Sequence, residues 1–431
     1  MAETEARFTL GPLERRGLVA GWRPGQVLVV ATSAGCAGLV IALTRSPAGV
    51  VAAITLLVSG GVAASVPVGG RTIEEWVPSL VGFVAHRRRR EVLRVHVGVD
   101  EATGAGVLEV PGTGSVVILA VESTGISLLD SQQRARRVDG LMAAVGALAS
   151  DGGGLDRISW TASARHADGA RLAADLRRRG ARGDRTASAA YRSLLGAVDG
   201  LITERRVDVA LRASSTKKLV EQATVVATAL EESGHRRTWL LGPEEVDERL
   251  KDRLGEAAVS SGAERRFAGR PRFDRLEGPF GCAAAWWISR WPSTPVSAEL
   301  LGALLLGDEH RAVTVVVEPV APATARRRAA ATRTSAVADA ELRRRGGFLT
   351  DREGERRRAH TSAREDDLVD GYSSLRFAGY VSVTTTNPEE LASLVTSTEL
   401  AAAQSQLELR RLDGDHLRGV VATLPLALGL P

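Results

Sequence analysis

The stretch VGFVAHRRRREVLRVHVG, Val81 to Gly98, decides how the rest of the chain is read. At its centre stand four consecutive arginines, Arg87, Arg88, Arg89 and Arg90. Such a run can be a nucleic-acid patch, a targeting signal, or the charge that fixes the orientation of a membrane segment. What precedes it chooses between these readings.

Upstream lie two uncharged apolar runs, VLVVATSAGCAGLVIALT from Val27 to Thr44 and GVVAAITLLVSGGVAASVPV from Gly49 to Val68. Each is close to the ~20 residues a helix needs to cross ~30 Å of hydrocarbon. Their Gly, Ala and Ser content suits close helix packing. The turn Arg45-Ser46-Pro47-Ala48 is so short that the helices must run antiparallel, and Pro47 cannot continue the first of them. The pattern therefore predicts a transmembrane helical hairpin over 27–68, after a cytoplasmic N-terminal segment of residues 1–26. Arg15, Arg16 and Arg23 precede it, Arg71, Arg87 to Arg90 and Arg94 follow it, and only Arg45 lies in the turn. By the positive-inside rule this makes a two-pass protein of the cell membrane with both termini cytoplasmic. Trp22 and Trp76 stand where an interfacial aromatic belt is expected. Two other readings stay open: a secretory signal, against which Glu3, Glu5 and Glu14 argue, and a pair of buried core helices.

Residues 69–99 form the juxtamembrane link. Ile73, Trp76, Val77, Leu80, Val81 and Val84 recur at helical spacing, so this segment either lies along a lipid surface or packs on a soluble domain. Membrane lipids are the first expected partner, contacted by Trp22, Arg23, Trp76 and Arg87 to Arg90.

From residue 100 onward strand-like and helix-like segments alternate, predicting an α+β fold in two strand-helix-strand units, 100–275 and 276–431. In the first, GVLEVPGTGSVVILAVES reads as a hairpin, LDRISWTASAR and RRVDVALRAS as strands, and STKKLVEQATVVATALEESG as an amphipathic helix closed by Gly234. GPEEVDERLKDRLG is a helix with an acidic first turn. In the second, CAAAWWISRWP, AVTVVVEPV, LRFAGYVSVTTT and LELRRL read as strands, with a helix over Pro388 to Gln404. Between about 323 and 373, mixed charge predicts two long surface helices broken at Gly346-Gly347. Trp286, Trp287 and Trp291 read as core or partner interface, and Arg343, Arg344 and Arg345 as part of a partner-binding hairpin.

The net charge of +5 is carried almost wholly by arginine; Lys217, Lys218 and Lys251 are the only lysines. That bias fits a GC-rich genome and is weak support for nucleic-acid binding. Cys36 and Cys282 are too few for a disulfide framework or a thiolate metal site. No lysine follows a glycine, so no phosphate-binding Walker A loop is present, and GTGSVV lacks the third glycine of a dinucleotide fingerprint. The seven histidines are scattered, and there is no HExxH or GxSxG pattern. DGDH, Asp413 to His416, reads as a polar turn between strands. The residues thus predict a protein that is not an enzyme, with no catalytic, cofactor-binding or metal-binding residue and no cofactor.

The order of parts, from the apolar hairpin and basic helix through AAWWISRWP, VVVEPV, ADAELRRRGGFLT and RFAGYVSVTTT to VVATLPLALGL, resembles an actinobacterial family of integral membrane proteins. Those proteins occur with conjugation and type IV secretion-like systems. The apolar hairpin resembles small proteins of the PrgI kind, and the region after it resembles the non-catalytic N-terminal domain of the large conjugation ATPase. In such ATPases a motor domain follows the segment that VVATLPLALGLP resembles, whereas this sequence stops at Pro431. The resemblance implies a non-catalytic membrane scaffold that docks a separate cytosolic ATPase beside a polytopic channel-like membrane protein and forms a homo-oligomer. A membrane-associated enzyme with a dispersed active site and a DNA-contacting conjugation factor are the alternatives.

Overall fold

The computed structural model describes residues 24–65, 73–86, 91–122, 154–166, 203–254, 264–292, 311–345 and 374–429, with shorter pieces within 129–140, 189–197, 259–261, 296–305 and 359–366. The chain divides into two compact units, one of residues 1–10, 90–321 and 373–431, the other of residues 11–89 and 322–372.

The second unit is helical. Helices α1 (Pro24–Thr44) and α2 (Pro47–Ser65) are linked through Arg45, whose φ of 41° lies in the left-handed region. They pack through small side chains, with Ala37, Ala53 and Ala64 buried. A Cβ at Gly60 would come within 2.1 Å of the Ser33 hydroxyl oxygen, so the approach there requires glycine. The outward surface is apolar: Leu28, Leu39, Leu43, Val51 and Ile54 are all exposed.

The expected two-span transmembrane hairpin is nevertheless not supported. Among the described residues only α1 has both the length and the hydropathy of a membrane span, while the apolar part of α2, Pro47–Val62, is shorter than a span needs. The two-pass topology loses its basis with it. Helix α3 (Ile73–His86) is amphipathic as expected and exposes Val77, Leu80, Val81 and Val84. Helix α7 (Pro322–Arg345) supplies the first of the two expected surface helices; most of the second lies outside the described residues, with only short pieces described within 359–366.

The first unit overturns the expected α+β fold. Its strands are β1 (Glu91–Val99), β2 (Gly106–Val110), β3 (Gly114–Glu122), β4 (Leu155–His166), β5 (Thr203–Ala213), β6 (Arg237–Leu240), β7 (Val259–Ser261), β8 (Glu264–Pro271), β9 (Leu276–Gly278), β10 (Gly281–Arg290), β11 (Arg311–Val320), β12 (Ser374–Thr385) and β13 (Glu408–Arg411). Ten of them form a closed antiparallel barrel in the order β1-β2-β3-β5-β4-β11-β12-β10-β9-β8, which returns to β1. The two supposed strand-helix-strand units are therefore one ring. Strand β4 of the first half pairs in register with β11 of the second, Thr161 opposite Thr314.

Closure depends on β1, the residues immediately after the four arginines. Leu93 faces Phe267 of β8 and Val97 faces Leu108 of β2. Alternation of Leu93, Val95 and Val97 with polar neighbours is the period of a strand with one buried face. The basic run drew this segment into the juxtamembrane link.

Each barrel strand has an outer and a lumen-facing side. On the outer side Val117, Leu119, Val209 and Leu211 pack under α4 (Thr216–Glu232) through Leu219, Ala223, Val226 and Leu230. On another part of that side Trp286, Ile288, Val381 and Val383 pack under α8 (Leu391–Gln404) and the short α6 (Gly302–Leu305). Helices α4, α6 and α8 thus cover a barrel from outside rather than the faces of open sheets.

Where α4 turns into β6, Gly234 has φ 101°, a conformation that suits glycine at a helix end. Next to it His235 is partly buried; desolvation and the positive charge of Arg137 hold its imidazole below the ordinary histidine value. The unfolded chain therefore takes up a proton more readily than the folded one. This part of the stability is intact above about pH 6.5, the unperturbed value, and declines as pH falls through the depressed one. Urea unfolding between pH 7 and 5 is expected to show that decline, and His235→Gln is expected to flatten it.

Candidate functional site

The lumen is filled by the chain itself. Helix α5 (Pro243–Leu254), helix α9 (His416–Ala422) and the segment from Thr423 to Leu428 occupy it. Val246, Leu250 and Leu254 of α5 and Val420, Leu424, Leu426 and Ala427 join one cluster with Val95, Leu108, Ile118, Phe267 and Leu276 of the wall.

The wall itself is amphipathic. Strands β1, β2, β3, β8, β9 and β10 turn mainly apolar residues inward, whereas β5, β4, β11 and β12 turn inward Arg206, Asp208, Arg212, Arg157, Ser159, Thr161, Thr314, Glu318, Arg376, Tyr380 and Ser382. Helix α5 matches this division. Its Val-Leu-Leu stripe meets the apolar side, while Arg249 donates from Nε to Asp208 Oδ1 at 3.1 Å and Arg206 donates to Asp252 at 2.5 Å. Arg253, half-buried, donates to the Ser382 hydroxyl at 2.8 Å, and desolvation pushes its pKa down to about 10. Burial also pushes the Asp208 carboxyl up, against the pull of Arg249 and Arg206.

The Asp413–His416 turn does not join two strands as expected: it leads from β13 into α9. His416 is buried, and its Nδ1 accepts the Ala285 N–H at 3.2 Å. The Ser382 and Thr423 hydroxyls lie 2.7 Å apart, and Tyr380 donates to the carbonyl of Gly429. A Cβ at Gly429, where φ is 115°, would come within 2.8 Å of the Tyr380 ring.

Near one end of the polar wall a second constellation gathers. Arg157 on β4 stands directly opposite Arg212 on β5, and Glu318 on β11 stands directly opposite Arg376 on β12. Glu318 serves two cations, Arg157 at 3.3 Å and Arg376 at 3.5 Å. Nothing in local sequence pattern announced this group, because its members come from four strands far apart in the chain. Alternation of Arg157 and Ser159 with Ile158 was the only available signal.

The residues singled out from sequence fall elsewhere. Trp286 is wholly buried under α8, with its indole N–H donating to Glu399 Oε1 at 3.2 Å. Trp291 is buried edge-on to Phe377, ring centroids 5.5 Å apart, and Trp287 is half-buried on the lumen side beside Tyr380. Arg345 is exposed and its Nε donates to Glu341 at 3.0 Å; the side chains of Arg343 and Arg344 lie outside the described residues. Trp76 is half-buried on α3, while Trp22, Arg23 and Arg87 to Arg90 also lie outside the described residues. Among the described residues no three His, Cys, Asp or Glu side chains come together as a metal site.

Compared with known families and with curated proteins, the chain matches no family model and no curated relative.

Proposed function

We propose that the chain is a non-catalytic scaffold held at a membrane through α1, whose barrel docks a separate cytosolic ATPase in a conjugation or type IV secretion-like machine. Helix α1 carries the reading: it has no charged residue and exposes Leu28, Leu39, Ile41 and Leu43. A surface that apolar, over a length that matches the hydrocarbon thickness, is stable in lipid rather than in water.

The scaffold part of the reading is supported by the lumen. A barrel of this size commonly encloses a ligand cavity or channel, yet here α5, α9 and the segment after α9 occupy the interior. The ATPase partner rests on the resemblance of the sequence to the secretion-associated family.

Fractionation and capture test both parts. The full chain is expected in the membrane fraction after alkaline wash, and deletion of residues 24–44 is expected to release it. Crosslinking in its own host is expected to join the barrel to a protein that hydrolyses ATP and carries a Walker A loop. Unchanged partitioning after the deletion would sink the anchor, and failure to recover such an ATPase would sink the docking role.

A further inference from the structure

The inward-facing charges at the Arg157 end of the lumen do not balance. Arg157, Arg212 and Arg376 are cations, and Glu318 is the single inward-facing anion among them. That carboxylate is divided between Arg157 and Arg376. The Arg212 guanidinium has no ion pair or hydrogen bond among the described residues, although Arg212 is only 9% exposed. Its Nε, and that of Arg157, are buried without an acceptor.

Like charges directly opposite each other on adjacent strands repel, so this register is unfavourable unless something anionic lies between the pair. Asp156, the next acid along, sits beside a register shift and already accepts the Ser214 hydroxyl at 2.7 Å. Burial and the charge of Arg157 pull the Arg212 guanidinium below its ordinary value, with Asp156 and Glu318 working the other way.

One rung deeper on the same face, Ser159 lies between Ala210 and Val316, and Val316 is paired with Ala378. Ser159 is fully buried and its hydroxyl has no partner. The arrangement is an unused donor beneath a ring of guanidinium groups, on a floor that includes two alanines. Exposure rises from Arg212, at 9%, to the Arg376 side chain, at 35%, so the Arg376 side of the group is the one nearer solvent.

We propose that this end of the lumen binds the phosphate group of a small molecule, either inorganic phosphate or a phosphate monoester. Arg212 and Arg157 hold its oxygens, Ser159 donates from below, and Arg376 stands at the rim. Phosphate suits the site because it brings a charge of about −1.5 to −2 at neutral pH and several strong acceptor oxygens to an excess of two inward-facing cations. Paired guanidinium groups are suited to bidentate recognition of such an anion. The proposal is independent of any ATPase partner.

The test uses the full chain in detergent, titrated at constant ionic strength with sodium phosphate, phenyl phosphate or chloride while heat capacity and thermal unfolding are followed. Saturable stabilisation by phosphate over chloride is expected. A response to both phosphates would mark the site as open to monoesters, and a response to inorganic phosphate alone would make the free ion the ligand. Arg212→Gln is expected to weaken binding about tenfold or more, the effect of losing charge-assisted hydrogen bonds. In phosphate-free chloride the same variant should unfold no earlier than wild type, since it removes an unpaired buried cation. Should Arg212→Gln fail to fold, the uncharged change Ser159→Ala is expected to weaken binding about threefold or more. Stabilisation by phosphate no greater than by chloride, or undiminished in the variants that fold, overturns the proposal.

Discussion

A chain cut to begin at Asp100 is expected to lose the cooperative unfolding transition that a chain cut to begin at Arg90 retains. The first cut is the one sequence reasoning recommends, since it removes everything assigned to the membrane and its link. It also removes β1, which pairs with β2 on one side and β8 on the other. Val95 and Val97 are buried, 3% and 8% exposed, and each is worth about 1.5–3 kcal/mol. The paired backbone groups on both sides of β1 would be lost as well, at about 1 kcal/mol for each hydrogen bond. Together these approach the whole stability of an ordinary domain, about 5–15 kcal/mol. The open ring would also present two free strand edges, β2 and β8, which favours association. Urea unfolding and light scattering of the two fragments measure both effects. Equal transitions in the two fragments would show that ring closure through β1 contributes little.

That expectation also locates where the sequence was legible. Strands β2 to β5 and β10 to β13, together with α4, α5 and α8, stand close to where alternation, β-branched content and helical spacing place them. Local pattern reports which face of an element is buried, but not which strand comes to lie beside it. The pairing of β4 with β11, residues 155–166 with residues 311–320, is a long-range choice that no window of sequence contains. Strand β1 was obscured by its neighbours, because Arg87 to Arg90 invite a membrane reading that runs on into Leu93, Val95 and Val97. The short strands β8 and β9, rich in Arg, Glu and Gly, gave too little alternation to be seen.

The interior illustrates the same limit in its chemistry. GPEEVDERLKDRLG reads correctly as a helix with an acidic first turn, and charged residues on a helix usually lie on a solvated face. In the barrel Arg249, Asp252 and Arg253 instead meet a polar wall built by four strands. An amphipathic helix does not reveal whether its polar side faces water or a polar protein surface. The Arg157–Arg212–Glu318–Arg376 group was hidden for the same reason, since its meaning lies in cross-strand register.

The pairing of Asp208 with Arg249 makes that interior testable, and its disruption is the second large effect expected. The Asp208 side chain is 5% exposed and that of Arg249 17%, so removing one partner leaves a buried charge without its counterpart. Asp208→Leu is expected to cost about 3–5 kcal/mol, as is usual for breaking a buried pair from one side. The double change Asp208→Leu with Arg249→Leu should recover most of that loss, since a well-packed apolar pair removes the desolvation cost together with the attraction. A double-mutant cycle in urea isolates the coupling. The pH dependence supplies an independent check on the cause. Burial raises the Asp208 carboxyl, so folding favours its protonated form. Its contribution to stability is fully present below the ordinary value of about 3.9 and is lost as pH rises through the higher folded-state value. Wild type should therefore carry a falling component of stability in that window which Asp208→Leu lacks. A single change that costs nothing, or a double change as damaging as the single one, would mean that the polar wall of the lumen does not depend on this pair.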